Sequence, residues 1–161
     1  MKKVVKFLPL ISAVVGVLAL LSLFLPVFTT TALSGELKEF PGLAVLIGHT
    51  KELAPGMKAR LLDFSFMWLL TYLLTLVGVV FAALSFVKKN SIFVWVAVAC
   101  FLLAGIFYFM PAVFAQQGEG WLLAFPGKVK KVADLGAGAI VAGICSLLGA
   151  AGMVAYKFLN K

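Results

Sequence analysis

The sequence predicts an all-α membrane protein, a four-helix transmembrane bundle with a small β-containing cap on its extracytoplasmic side. Four apolar stretches without a single charged residue run roughly over 7–28, 64–87, 91–114 and 135–156, and a helix needs about 20 such residues to cross a bilayer. The chain is also 63% hydrophobic and only 12% charged, whereas soluble domains are about one quarter charged. We therefore predict one transmembrane domain over residues 1–161.

The distribution of charge predicts the orientation. The segments 1–6, 88–90 and 157–161 carry seven lysines and no acid, whereas the connections 29–63 and 115–134 carry seven cations and all six acids. The two sides therefore net +7 and +1, which together make the +8 of the chain. The Lys and Arg counts tie, but their density is far higher in the short segments, so the positive-inside rule places both termini in the cytoplasm and both long connections outside.

The first apolar stretch is expected to remain as a helix rather than to be cleaved as a signal peptide. It is longer than the roughly 7–15 residues of a signal-peptide apolar region, and no clear small-residue cleavage site follows it. Pro9 lies in the first turn, where its missing N–H costs little. Pro26 lies near the outer end, where it helps to end the helix.

The second and third helices are predicted to be antiparallel neighbours, because only Lys88-Lys89-Asn90 separates them and so short a turn allows no other arrangement. Asp63 is the expected N-cap of the second helix, and Ser91 that of the third. The third helix is expected to end around Pro111 to Phe114.

The fourth helix carries a face of small residues, which lets two helix backbones approach closely in a membrane. These residues recur every three or four positions: Gly138, Ala142, Ser146, Gly149 and Gly152. The first helix offers a matching face at Ser12, Gly16 and Ala19. Two interpretations stay open, namely packing of the first helix on the fourth, and a seam for a homo-oligomer or another membrane protein. Gly149 is expected to tolerate substitution less well than Gly136, which lies near the start of the helix.

The first outer connection predicts a β-hairpin. Residues 29–33 and 36–40 read as two strands around a Ser34-Gly35 turn. Residues 43–47 are apolar and end at Gly48, so they are expected to form a strand or a short interfacial segment. In the second connection, residues 122–125 are expected to add a strand or to dip into the interface. The sequence thus predicts one small sheet of two or three strands.

The spans contain no chemistry that would support catalysis. No Asp, Glu, Lys, Arg or His lies in them, although proton relays and ion paths normally need such groups. We therefore predict no catalytic residue, no cofactor and no metal site. His49 is expected to be solvated, Cys100 and Cys145 are expected to be structural, and no phosphate-binding glycine motif is present. The excess of positive charge is explained by contacts of the lysines with anionic lipid headgroups, and no nucleic-acid partner is predicted.

By exclusion, recognition is predicted to lie in the first outer connection. The candidate residues are Phe40, Gly42, Val45, Ile47 and Gly48, although a loop that only packs on its own bundle explains the same pattern. The predicted function is that of a non-enzymatic accessory, regulatory or immunity-type subunit, which binds membrane lipid and a partner protein through its outer loops. The alternative is an oligomeric pore or small-solute transporter.

Short patterns throughout the chain resemble those of a loose group of small four-span proteins from Gram-positive bacteria. They are Phe7-Leu-Pro-Leu-Ile, Leu23-Phe-Leu-Pro26, Phe40-x-Gly42-x-x-Val45-x-x-Gly48, Leu62-x-Phe-Ser-Phe66 and the Lys88-Lys89 turn. The resemblance implies a bacterial plasma membrane and no particular activity. The layout is also similar to that of claudins, but the claudin loop signature, Trp-Gly-Leu-Trp with two cysteines, is missing. The likeness to claudins is therefore one of shape, from which function does not follow.

Overall fold

The computed structural model describes residues 2–88 and 90–160, and the side chains of all of these except residues 2–4, 53, 54 and 57. Within them, four helices are long and apolar enough to cross a membrane: Val5–Phe24, Phe66–Val87, Ser91–Tyr108 and Ala137–Leu159. The prediction of four helices able to span a membrane by length and composition is confirmed, and such a set is typical of a multi-pass membrane protein.

Two of the predicted spans end earlier than expected. The first consists of α1 (Lys2–Leu20) and one 3₁₀ turn (Leu21–Phe24), after which strand β1 (Pro26–Thr31) begins. The third, α4 (Ser91–Tyr108), stops before a separate one-turn helix, α5 (Pro111–Phe114). Proline supplies no N–H for a continuing helix, and its fixed φ favours a first helical position. Hydrophobicity continues across both breaks, which is why the apolar runs alone overestimated these helices.

The second span, α3 (Phe66–Val87), is capped by Ser65 rather than by Asp63. The Ser65 hydroxyl accepts a hydrogen bond from the Trp68 N–H at 3.2 Å and donates one to the Phe114 carbonyl at 2.6 Å. Asp63 is instead the last residue of a strand. At the start of α4 the side chain of Asn90 accepts the N–H of Ile92 at 3.0 Å, so Asn90, not Ser91, provides the side-chain cap. Lys89 of the predicted turn lies outside the described residues.

The first compact unit comprises Met1–Leu21, Thr71–Tyr108 and Val141–Lys161. Its centre is the buried ring of Phe101 on α4, which packs against glycines of the other three helices. A Cβ added to Gly16 of α1, Gly78 of α3 or Gly149 of α8 (Ala137–Leu159) would lie 2.7, 2.9 or 3.3 Å from that ring. The ring of Phe101 thus fills the space that the three glycines leave open. Small residues allow this kind of close packing between membrane helices.

The small residues predicted to mediate packing lie inside the protein. Ser12, Gly16, Gly138, Ala142, Ser146 and Gly149 are all buried. Gly152 lies against the hydroxyl of Ser12, which brings α8 and α1 together at this point. Thr75 and Ser85 donate to the carbonyls four residues earlier, at 3.0 and 2.8 Å, as hydroxyls in helices commonly do. The hydroxyls of Ser12 and Ser146 make no such bond.

The second unit comprises Ser22–Leu70 and Phe109–Ile140 and contains two three-stranded sheets instead of one. The first has the order β2-β1-β6, with β2 at Leu37–Pro41 and β6 at Asp134–Leu135. The predicted hairpin between β1 and β2 is confirmed: the strands pair antiparallel, with Thr30 opposite Lys38, around a turn in which Gly35 has a φ of 81°. The second sheet has the order β3-β4-β5, formed by His49–Ala54, Met57–Asp63 and Gln116–Gln117.

Two apolar segments for which a strand was one expected outcome are helical. Residues 42–47 form α2 (Gly42–Ile47), and residues 121–124 form α6 (Trp121–Ala124). Val129–Val132 forms a further one-turn helix, α7. Gly48 ends α2 with a φ of 93°, a conformation that side chains disfavour. An apolar run this short has no resolvable period, so sequence alone does not separate strand from helix.

Candidate functional site

An aromatic cluster forms the core of the second unit. The ring of Phe40 on β2 lies 5.0 Å from that of Phe28 on β1 and 5.7 Å from that of Trp121 on α6. Trp121 stacks on Phe125 at 4.1 Å, and its indole N–H donates to the Gly127 carbonyl at 2.7 Å. All four rings are buried. The cluster therefore packs α6 against the β1–β2 hairpin.

A cleft of about 430 Å³ opens beside this cluster. One wall is the β1–β2 hairpin, which contributes Glu36, Lys38 and Glu39, and another is β3, which contributes His49 and Lys51. The remaining lining comes from the hairpin turn, β4 and α6: Ala32, Leu33, Ser34, Leu61, Leu123 and Ala124, with the edges of Phe40 and Phe125 at the base. The site therefore combines an apolar base with charged walls.

The charges in the walls are balanced but only partly paired. Lys38 Nζ lies 2.6 Å from Glu36 Oε2. That hydrogen bond and the charge of Lys38 hold the pKa of the Glu36 carboxyl below its usual value; slight desolvation opposes this, and the charge of Lys51 adds to the lowering. Lys51 thus acts on Glu36 from the other wall. Within the described residues, Glu39 and Lys51 make no ion pair, so the cleft keeps one anion and one cation available.

His49 is partly buried rather than fully solvated. Its ring meets that of Phe40 edge-on at a centroid distance of 5.8 Å. Over residues 2–88 and 90–160, no three His, Cys, Asp or Glu side chains converge as they would around a metal ion. Cys100 and Cys145 both carry free thiols. The single imidazole therefore contributes a polar edge to the cleft wall and a ring contact to its base.

The five predicted recognition residues do not form one accessible surface. Phe40, Gly42 and Val45 are buried, and they support the unit from inside. Gly48 approaches the Leu62 carbonyl so closely that a Cβ there would overlap it. Only Ile47 is well exposed, at 59%. As the protein stands, a partner has no access to three of the five, and their burial favours the interpretation in which this segment is scaffold.

The charged residues of the cleft were not singled out from the sequence. Glu36, Lys38 and Glu39 lie within the second strand of the predicted hairpin, and Lys51 lies in a segment for which no strand was predicted. A signal did exist, because 49–54 and 57–63 flank the Pro55-Gly56 turn as two strands of a hairpin would. That hairpin pattern places His49 and Lys51 on one strand, but it does not place this strand beside the first hairpin.

No protein-family model, no curated protein and no solved structure matches this chain.

Proposed function

We propose that this chain is a non-enzymatic integral membrane protein, an accessory, regulatory or immunity-type subunit, whose second unit binds a partner protein at the cleft. The cleft carries the proposal, since its volume of about 430 Å³ falls within the range of binding pockets. Its lining includes Leu33 and Leu123, each exposed by more than half. Apolar rim residues beside unpaired charges are typical of a surface that a partner covers.

The edge of β2 gives the cleft a way to hold an extended chain. The cleft touches the consecutive residues Lys38, Glu39 and Phe40. Because consecutive residues of a strand point to opposite faces, contact with all three means that the edge of the strand, not one face, borders the cleft. β2 is also the outer strand of its sheet.

The register of the hairpin identifies the free backbone groups on that edge. The Ala32 N–H donates to the Glu36 carbonyl at 2.9 Å, and pairing continues with Thr30 opposite Lys38. Bonded and non-bonded pairs alternate in antiparallel strands, so Leu37 and Glu39 direct their N–H and C=O groups away from β1. An extended partner segment pairs with such an edge by adding a strand.

The chemistry of the edge favours a different protein over a second copy of this chain. The antiparallel register that engages Leu37 and Glu39 of both copies would place Lys38 opposite Lys38. Like charges directly opposite each other destabilise a strand pair. A partner with an acidic residue there, and with groups that match Glu39 and Lys51, would avoid this repulsion.

Charge reversal in the cleft is expected to abolish partner binding. The variants Glu39→Lys and Lys51→Glu should lose the partner in a pull-down from native lipid, read by mass spectrometry, because each inverts one unpaired wall charge. Lys130→Glu, on the exposed part of α7 outside the cleft, is the matched control and should keep it. A partner retained equally by all three variants would place the contact elsewhere.

We further propose that both termini are cytoplasmic and that the second unit faces the outside of a bacterial plasma membrane. Charge density and the confinement of all six acids to the two long connections support this orientation. Cysteines introduced at Lys51 and Lys128, in a chain whose Cys100 and Cys145 are replaced by alanine, should react with an impermeant maleimide in intact cells. Labelling that requires lysis would reverse the orientation.

The alternative, an oligomeric pore or small-solute transporter, has less support. It would use the small-residue face of α8 between protomers, but Ala142, Ser146 and Gly149 are buried within the first unit. A protomer contact there would require α8 to leave its own neighbours.

A further inference from the structure

Helix α2 exposes an apolar face that the cleft does not use. None of its six residues is polar or charged. Gly42 and Val45 are buried, whereas Leu43 and Ile47 are 38% and 59% exposed. Residues four apart lie on the same side of a helix. The side chains of Leu43 and Ile47 therefore form one exposed stripe on α2.

A hydrogen bond fixes this stripe beside the start of a transmembrane helix. The Ser65 N–H donates to the Leu46 carbonyl at 3.1 Å, and the Ser65 hydroxyl caps α3. The C-terminal end of α2 therefore sits at the N-terminal end of the candidate span Phe66–Val87. The residues on either side of Ser65 are also exposed, Phe64 by 52% and Phe66 by 61%.

We propose that Leu43, Ile47, Phe64 and Phe66 form an interfacial surface that rests in the boundary between headgroups and acyl chains of the membrane that α3 crosses. The occupant of this surface is lipid. The surface continues into the exposed side of α3, where Phe66 and Met67 belong to the span itself, so lipid that covers the start of α3 also meets the stripe.

The physical properties of the stripe suit that position. Helices that lie in the interface carry Phe and Leu on their apolar face, and that face is buried about 5–10 Å into the boundary. The hairpin leucines provide a contrast, because Leu37 is equally exposed, at 63%, but lies at the far end of β2 from Pro41, where α2 begins. We thus assign the exposed apolar residues near the cleft to a partner protein and those of the stripe to lipid. The inference about the stripe does not depend on the proposed cleft partner.

Site-directed spin labelling tests the inference. Single cysteines replace Ile47, Phe64 or Leu37 in a chain whose Cys100 and Cys145 are alanine, and each purified full-length variant is labelled and placed in lipid nanodiscs. Collisions with molecular oxygen, which concentrates in lipid, are compared with collisions with a water-soluble nickel chelate. The ratio of oxygen to nickel collisions should be several-fold higher at Ile47 and Phe64 than at Leu37.

The same measurement separates lipid from the other possible coverings. Nickel collisions as frequent at Ile47 and Phe64 as at Leu37 would show a surface in water, and would overturn the inference. Few collisions with either reagent at Ile47 and Phe64 would show that protein covers the stripe, and would also overturn it. The use of two independent positions keeps the test decisive if one variant fails to fold, and neither position lines the cleft.

Discussion

Replacing Trp121 with alanine is expected to lower the free energy of unfolding by about 3–5 kcal/mol, the cost of deleting a large buried aromatic side chain. Trp121 is fully buried and contacts the rings of Phe28, Phe40 and Phe125. Its removal leaves a cavity among them and also abolishes the hydrogen bond to Gly127. Because these rings hold α6 to the β1–β2 hairpin, the base of the cleft should lose its shape as well.

The neighbouring residue provides the control for this prediction. Leu122 lies on the same one-turn helix but is 57% exposed, so Leu122→Ala should change the free energy of unfolding by no more than about 0.5 kcal/mol. Thermal or denaturant unfolding in detergent, followed by near-ultraviolet circular dichroism, compares the two. Equal stability of the variants would mean that the ring cluster does not hold the unit together.

Gly136→Ala is expected to destabilise the protein more than Gly149→Ala does. Its own cost should be about 1–3 kcal/mol, or more if the backbone must move. A Cβ on Gly136 would lie 2.7 Å from the carbonyl carbon of Val27 and 2.8 Å from the nitrogen of Phe28. Both atoms belong to β1. The Gly136 N–H also donates a hydrogen bond to the Val27 carbonyl of this strand, at 2.9 Å. To relieve the overlap between the added Cβ and β1, the protein would have to break this hydrogen bond or shift the strand.

At Gly149 the nearest atoms to an added Cβ belong to the ring of Phe101, at 3.3 Å. A side chain yields by a few tenths of an ångström more easily than a hydrogen-bonded strand does. The midpoint of thermal unfolding in detergent should therefore fall further for Gly136→Ala. This order reverses the one that the sequence predicts, and a lower midpoint for Gly149→Ala would restore the sequence-based ranking.

The surroundings of Gly136 and Gly149 show why a stripe of small residues is an incomplete guide to packing. The spacing from Gly138 to Gly152 correctly indicates a face suited to close approach, but it does not identify what lies opposite. Gly136, just before α8 begins, is closer to backbone atoms than Gly149 is, because β1 passes beside it. The first residues of that strand, 26–28, were predicted to belong to the end of the first span, so the sequence offered no reason to rank Gly136 highly.

The four spans were predictable because the length of an uncharged apolar run is a local property, set by the thickness of a bilayer. The β1–β2 hairpin was predictable for the same reason, since the Ser34-Gly35 turn and the flanking strands are adjacent in the chain. The short apolar segments were not, because a run such as 43–47 carries no period that distinguishes strand from helix. There the outcome depended on the hydrogen bond from Ser65 to Leu46 and on the burial of Val45.

Local sequence was enough to predict the number of helices that can cross a membrane, the absence of Asp, Glu, Lys, Arg and His from the four apolar stretches, and the first hairpin. Tertiary contacts instead determine that Phe40 and Val45 face inward, that Glu39 and Lys51 share a cleft, and that Leu43 and Ile47 lie beside the start of α3. The difference is physical: span length and turn chemistry are set by residues a few positions apart. Burial and clefts are instead set by atoms from distant segments, such as Trp121 against Phe40, which no local pattern brings together.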